Sequence, residues 1–280
     1  MKTAKIAVVA VLFLWISLVI HETGHLVAAR SLGVGVLEYS INVGPSIFSI
    51  CGPETDYRFR MFPLMGYVTL ATEELSDNFP SAEFEEMLNE RPERAHMIQD
   101  REQWLSSKGL LPRVAIHASG VISGLTFGLM CLAILLRLRY SQYRMSDAIK
   151  MSLVIAVDEV YHAAQLVWWS LRTAFFQEAN RLSEPKRSDR VKRFYDGQGR
   201  LFQFLSSLAL LNISYSVLNL LPIVPLDGSR IFLAVVETSF GILNPVARWA
   251  FDRFGTLTVS FVITASLVSC YDYFRSGKVK

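Results

Sequence analysis

The sequence predicts a mostly α polytopic membrane protein, with about four transmembrane helices, a membrane-associated β-hairpin-like loop and an amphipathic interfacial helix. Three observations carry this expectation. Hydrophobic residues make up 51% of the 280 and charged residues only 19%, against about a quarter charged in an ordinary soluble domain. The apolar residues are gathered into long runs rather than spread at amphipathic spacing. Several runs close on arginines, prolines or aromatic residues, as segments do where they leave a bilayer. With 28 Lys and Arg against 25 Asp and Glu, no basic excess exists to neutralise a nucleic-acid backbone, so the expected surroundings are lipid and no nucleic acid.

Taken in chain order, the first span covers about 6–29, long enough as a helix to cross a hydrocarbon core of roughly 30 Å. Residues 37–70 alternate in two stretches, 37–50 and 57–70, around the turn cluster Cys51-Gly52-Pro53-Glu54-Thr55-Asp56, a hairpin-like pattern. The polar stretch 73–111 follows, acidic and expected to be helical on a water-facing surface over its first part. The second span covers about 114–136, where Gly120, Ser123 and Gly124 admit a neighbouring helix closely. Asp147, Lys150, Asp158, His162, Gln165 and Arg172 recur at helical spacing, which predicts the amphipathic helix over about 145–177, with a fifth span as the alternative. A charged loop, 178–200, leads to a third span at about 201–221, closed by Pro222 and Pro225. The fourth span covers about 256–274. All of these form one membrane-embedded domain over 1–280. Cys51, Cys131 and Cys270 stand apart with no CxxC pair and are expected to be free thiols.

The chemistry begins at His21-Glu22-Thr23-Gly24-His25. Histidines four apart on a helix project from one face and can grip a single metal ion, and Glu22 is placed to act as general base on water there. Next to an uninterrupted apolar run, each of these side chains costs several kcal/mol unless paired or coordinated. A catalytic zinc takes three protein ligands, so one more is required. Asp227, in Asn219-Leu220-Leu221-Pro222-Ile223-Val224-Pro225-Leu226-Asp227-Gly228, is the strongest candidate, because prolines there break the helix and turn polar groups toward a buried site. Other polar residues read more blandly. His117 is expected to bond a neighbouring helix, Glu159 and His162 to lie on a polar face, and His96 to be solvated.

HETGH within the first span, with the NxxPxPxLDG pattern from Asn219 to Gly228, resembles the site-2 protease family of intramembrane zinc metalloproteases. The stretches 20–44 and 60–68 are similar to its bacterial branch, the regulator of sigma-E proteases, including that branch's re-entrant β-loop. The resemblance implies one zinc per chain on His21, His25 and Asp227, with Glu22 activating water. It further implies that Asn219 contacts the substrate or transition state, and that Phe62, Pro63, Leu64, Met65, Gly66, Tyr67 and Val68 bind the substrate backbone by edge addition. The implied substrate is a single-span membrane protein cut by regulated intramembrane proteolysis, in the bacterial inner (cell) membrane. The chain departs from that branch in having no PDZ-sized insertion in 139–200, and in carrying Val121 and Gly124 where the branch has a proline and an asparagine. Without that insertion, substrates arrive shortened by an upstream site-1-type protease or are recognised through 73–110.

Lys and Arg are concentrated in the N-terminal tail, 137–201 and the C-terminal tail. The positive-inside rule places those segments in the cytoplasm, opposite to the family arrangement, which puts the zinc side there. The alternative function for the same ligands is a membrane metal transporter or sensor that performs no hydrolysis.

Overall fold

A 30-residue helix, α1 (Lys2–Ser31), leads the chain and is stopped by Gly33, whose φ of 66° is the left-handed conformation glycine adopts past helix ends. The computed structural model describes residues 2–62, 65–73, 81–142, 144–176 and 199–241, with isolated residues between 186 and 196 and at 250, 251 and 253. After α1 come β1 (Val36–Ile41), β2 (Val43–Cys51), β3 (Asp56–Phe62) and β4 (Tyr67–Leu70). Six helices follow among the described residues: α2 (Ser81–Glu90), α3 (Pro92–Gln99), α4 (Leu110–Arg139), α5 (Met145–Phe176), α6 (Arg200–Leu218) and α7 (Asp227–Phe240).

Three of these helices, α1 from Val11 onward, α4 and α6, are long and apolar enough to cross a membrane. They coincide with the expected spans at 6–29, 114–136 and 201–221, whereas 256–274 and most of 178–200 lie outside the described residues. α6 ends at Leu218, three residues before the apolar run does. Leu220 and Leu221 turn onto the carbonyls of Val217 and Leu218, and Pro222 keeps the residue before it out of helical geometry.

The main apolar core joins α4, α5 and α6 through Leu132, Leu136, Ala148, Ile155, Ala209 and Ile213. Small residues allow the close approach. A Cβ on Gly124 would lie 2.4 Å from Ser216 Oγ, and one on Gly128 would lie 2.6 Å from Ile213 Cγ1. Residues 145–176 are one continuous helix whose buried face, Ala148, Ser152, Ile155 and Ala156, follows the helical period read from the sequence.

The alternating stretches build a four-stranded sheet in the order β2-β3-β1-β4 rather than one hairpin. β2 and β3 are antiparallel around the turn cluster, as the alternation predicts. β1, however, pairs with β3 in parallel and with β4 in antiparallel fashion. Asn42 divides the first stretch with a φ of 72°, a conformation asparagine tolerates better than most residues. Its side chain accepts from Trp15 Nε1 at 3.0 Å and donates to the Arg60 carbonyl at 2.9 Å. Trp15 also meets Phe59 edge-on, with ring centroids 4.7 Å apart, so the sheet is fastened to the middle of the apolar run of α1. The polar stretch after the sheet is helical as expected, but α3 is not wholly water-facing. Its Met97 and Ile98 bury against Leu37, and the buried Asp56 pairs with Arg91 at 2.8 Å and Arg94 at 3.4 Å.

Candidate active site

Each residue of HETGH has its own contact. His21 and His25 face one way along α1, their Nε2 atoms 3.3 Å apart. Thr23 Oγ1 bonds the Val19 carbonyl at 2.6 Å and the Tyr39 hydroxyl at 3.0 Å, which ties this turn to β1. Gly24 lets α4 come close, since a Cβ there would lie 2.5 Å from Ser123 Oγ and 2.6 Å from the Ser119 carbonyl oxygen.

Asp227 reaches the same point from the far end of the chain. It is the first residue of α7, where the helix dipole favours a carboxylate. The preceding turn holds it there, because the Gly228 amide donates to the Asn219 carbonyl at 2.7 Å and a Cβ on Gly228 would lie 2.1 Å from the Leu220 carbonyl oxygen. Its oxygens stand 3.1 Å from His21 Nε2 and 3.2 Å from His25 Nε2. Among the described residues, these three form the one group of His, Cys, Asp or Glu whose candidate ligand atoms all fall within 4.8 Å of one another.

The arrangement fits a divalent metal. His25 Nδ1 lies 2.8 Å from the Ile116 carbonyl, which can only accept, so Nδ1 carries the proton and a neutral ring leaves its Nε2 lone pair facing the carboxylate and the other imidazole. Such a backbone partner fixes the tautomer of a metal-binding histidine. Lone pairs converging in a buried site repel unless a cation lies between them. Two imidazoles and one carboxylate are a catalytic-zinc donor set. Gly120 walls the group from α4, because a Cβ there would come 2.2 Å from His25 Nε2 and 2.8 Å from His21 Nε2.

Glu22, only 5% exposed, lines a cavity of about 290 Å³ together with His21, His25 and Asp227. One wall of this cavity is the loop into β4 and the strand itself, with Met65, Gly66, Tyr67, Val68 and Leu70. The cavity is also lined by Ile116 and His117 of α4, Tyr215 and Asn219 at the end of α6, and Arg230 of α7. Gly66 presses on Glu22, since a Cβ there would lie 2.6 Å from Glu22 Cγ and 2.9 Å from the Ser40 carbonyl oxygen. The β4 wall is braced by Glu38, whose Oε1 accepts from both the Tyr67 hydroxyl and Arg60 Nη2 at 2.7 Å.

Of the residues singled out from the sequence, Asn219, Met65, Gly66, Tyr67 and Val68 line the cavity with His21, Glu22, His25 and Asp227. Phe62 does not: it ends β3 across from Val43 and packs over Gly44. Pro63 and Leu64 lie outside the described residues. His117 departs from its bland reading by lining the cavity, while His96 is exposed as expected. Tyr215 and Arg230 were not foreseen. A signal for Arg230 was present, because a residue three beyond Asp227 shares its helix face, provided that a helix begins at Asp227.

The model of peptidase family M50, the site-2 protease family, matches residues 9–260. The chain therefore belongs to that family, and the three long apolar helices among its described residues make it a membrane protein. Among its relatives, a protein of Nostoc sp. named a zinc metalloprotease is 35% identical over 129 residues, 46% of this chain and 29% of that protein. One of Synechocystis sp., named likewise, is 30% identical over 124 residues, 44% of this chain and 28% of its own. A third, from Thermotoga maritima, is 47% identical over 57 residues, 20% of this chain and 11% of the relative. The chain thus matches less than a third of the length of each.

Proposed function

We propose that this chain is a zinc-dependent intramembrane endopeptidase that hydrolyses a peptide bond within or near the transmembrane segment of a single-span membrane protein. The observation that carries the reading is the meeting of Asp227 with His21 and His25 at 3.1 and 3.2 Å, beside the buried Glu22 and within apolar helices. In this reading His21, His25 and Asp227 hold one zinc. When bound, zinc supplies a Lewis acid that polarises a peptide carbonyl and brings the pKa of water to about 7. Glu22 takes the proton of the attacking water and passes it to the leaving amine.

The substrate helix keeps its carbonyls bonded within its own backbone and must unwind before attack. β4 is the end strand of the sheet among the described residues, and its outer edge beside the cavity offers replacement bonds to an extended segment. Asn219 contacts the substrate or the transition state from the cavity wall. Membership of M50 and bacterial relatives named as zinc metalloproteases support the reading, including its place in a bacterial cell membrane. α5 occupies more than half of 139–200, which supports substrates that are shortened beforehand by another protease or recognised through 73–110 rather than sorted by a PDZ module in 139–200.

The test is co-expression of a tagged single-span protein with the wild type or with Glu22→Gln. The reading expects cleavage by the wild type, a loss of at least about 100-fold in the variant and zinc content unchanged. Cleavage unaffected by the substitution rejects the proposed mechanism. Zinc flux that survives it, with no cleavage by either protein, favours a transporter.

A further inference from the structure

One buried ion pair joins the two helices that close the site from opposite directions. Arg113, in the first turn of α4, pairs with Glu237, in the last turn of α7. The two side chains are only 14% and 9% exposed. At the other end of α7, about 15 Å along the axis, is Asp227. Along α4, one and two turns beyond Arg113, are the Ile116 carbonyl that holds His25 and the Gly120 wall beside both histidines. α4 therefore carries both the support of the histidines and the anchor of the helix that brings the carboxylate.

We infer that Arg113 and Glu237 are positioning residues whose pairing sets the depth at which α7 presents Asp227 to His21 and His25; the inference rests on the zinc reading of those three side chains. Among the described residues, none of the three buried apolar clusters includes a residue of α7. Its own buried residues are small or few, namely Gly228, Ser229, Leu233 and Ala234. Its covalent link to α6 is the turn at 219–226, where Pro222 and Pro225 leave short local bonds. The turn bonds fix where α7 begins, and the ion pair fixes its far end against α4, so the two together set the position of α7 along α4. Breaking the pair strands a charge in a buried setting, which the helices relieve by separating. Loss of the pair should therefore be felt at the metal before it is felt in the fold.

The experiment follows zinc content and the rate of zinc loss to a chelator in detergent-purified full-length protein, alongside size-exclusion profile and helix content. The proteins are wild type, Glu237→Gln, the conservative Glu237→Asp, and the charge-swapped pair Arg113→Glu with Glu237→Arg. Changes to the supports of metal ligands cost about 10- to 100-fold in affinity. Glu237→Gln is accordingly expected to lose zinc at least about tenfold faster, Glu237→Asp to fall between, and the swapped pair to return to within about threefold of wild type. A folded Glu237→Gln or Glu237→Asp that holds zinc as wild type does overturns the inference, as does a folded swapped pair that loses zinc as fast as Glu237→Gln. Folded wild type that takes up no zinc is a distinct result, which removes the metal reading and this inference together.

Discussion

Gly120 of α4 stands so close to His25 that a single methyl group on it would come 2.2 Å from Nε2, and 2.8 Å from Nε2 of His21. The site is therefore built from three helices. α1 supplies two imidazoles, α7 supplies a carboxylate at its first residue, and α4 supplies a wall that has to be bare.

The first prediction concerns that wall. Gly120→Ala places its methyl where Nε2 of His21 and Nε2 of His25 converge, so it should abolish zinc retention while the helices remain folded. Metal analysis with circular dichroism checks both halves. Zinc retained at the wild-type level would mean that the histidines do not meet beside α4.

A second prediction concerns Gly66. Its backbone lies between the Glu22 side chain and the Ser40 carbonyl, and both would be crowded by a Cβ at 2.6 and 2.9 Å. Gly66→Ala should displace the base without touching a ligand. Zinc content is expected to stay near wild type while kcat for a single-span substrate falls about 10- to 100-fold, since misplacing a group by about 1 Å can cost 100-fold.

A third prediction separates the sheet anchor from the chemistry. Asn42 combines a φ of 72° with bonds to Trp15 and Arg60. Asn42→Gly keeps the conformation and loses the bonds, whereas Asn42→Ala loses both. Destabilisation of about 1–3 kcal/mol is expected for the glycine variant, with more for alanine, read as reduced resistance to thermal unfolding in detergent. Equal stability of the two variants would show that the backbone conformation carries no cost.

Arg230 lines the cavity on the face of α7 that bears Asp227, and no ion pair with a carboxylate is formed by it among the described residues. As a cation facing the cavity it is expected to meet the substrate. Arg230→Gln should raise KM by about tenfold, the worth of a charge-assisted hydrogen bond, with zinc content unchanged. A steady-state series against a detergent-solubilised substrate decides it.

His21, Glu22 and His25 were legible in the sequence because their geometry is local: four residues on a helix define a face whatever surrounds it. Asp227 was legible for a different reason, namely that a lone acid after an apolar run needs a partner. What could not be read depends on contacts across the chain. The split at Asn42 is one residue with a positive φ inside an alternating run, and alternation carries no mark of it. The parallel pairing of β1 with β3 joins segments on either side of β2, and a hairpin-like pattern conceals it. Phe62 shares the alternation of the strand but turns to Gly44, while Gly66, four residues on, packs on Glu22. Small residues in α4 signalled a close helix approach, yet not that Gly120 would face His21 and His25.

The most direct measurement is zinc per chain in freshly purified, folded protein, wild type beside Asp227→Ala. About one zinc is expected in the wild type, as for a site with three protein ligands, with its loss or ready removal by chelator in the variant. No zinc in the wild type, or the same tightly held zinc in both, would contradict the claim that His21, His25 and Asp227 form one metal site.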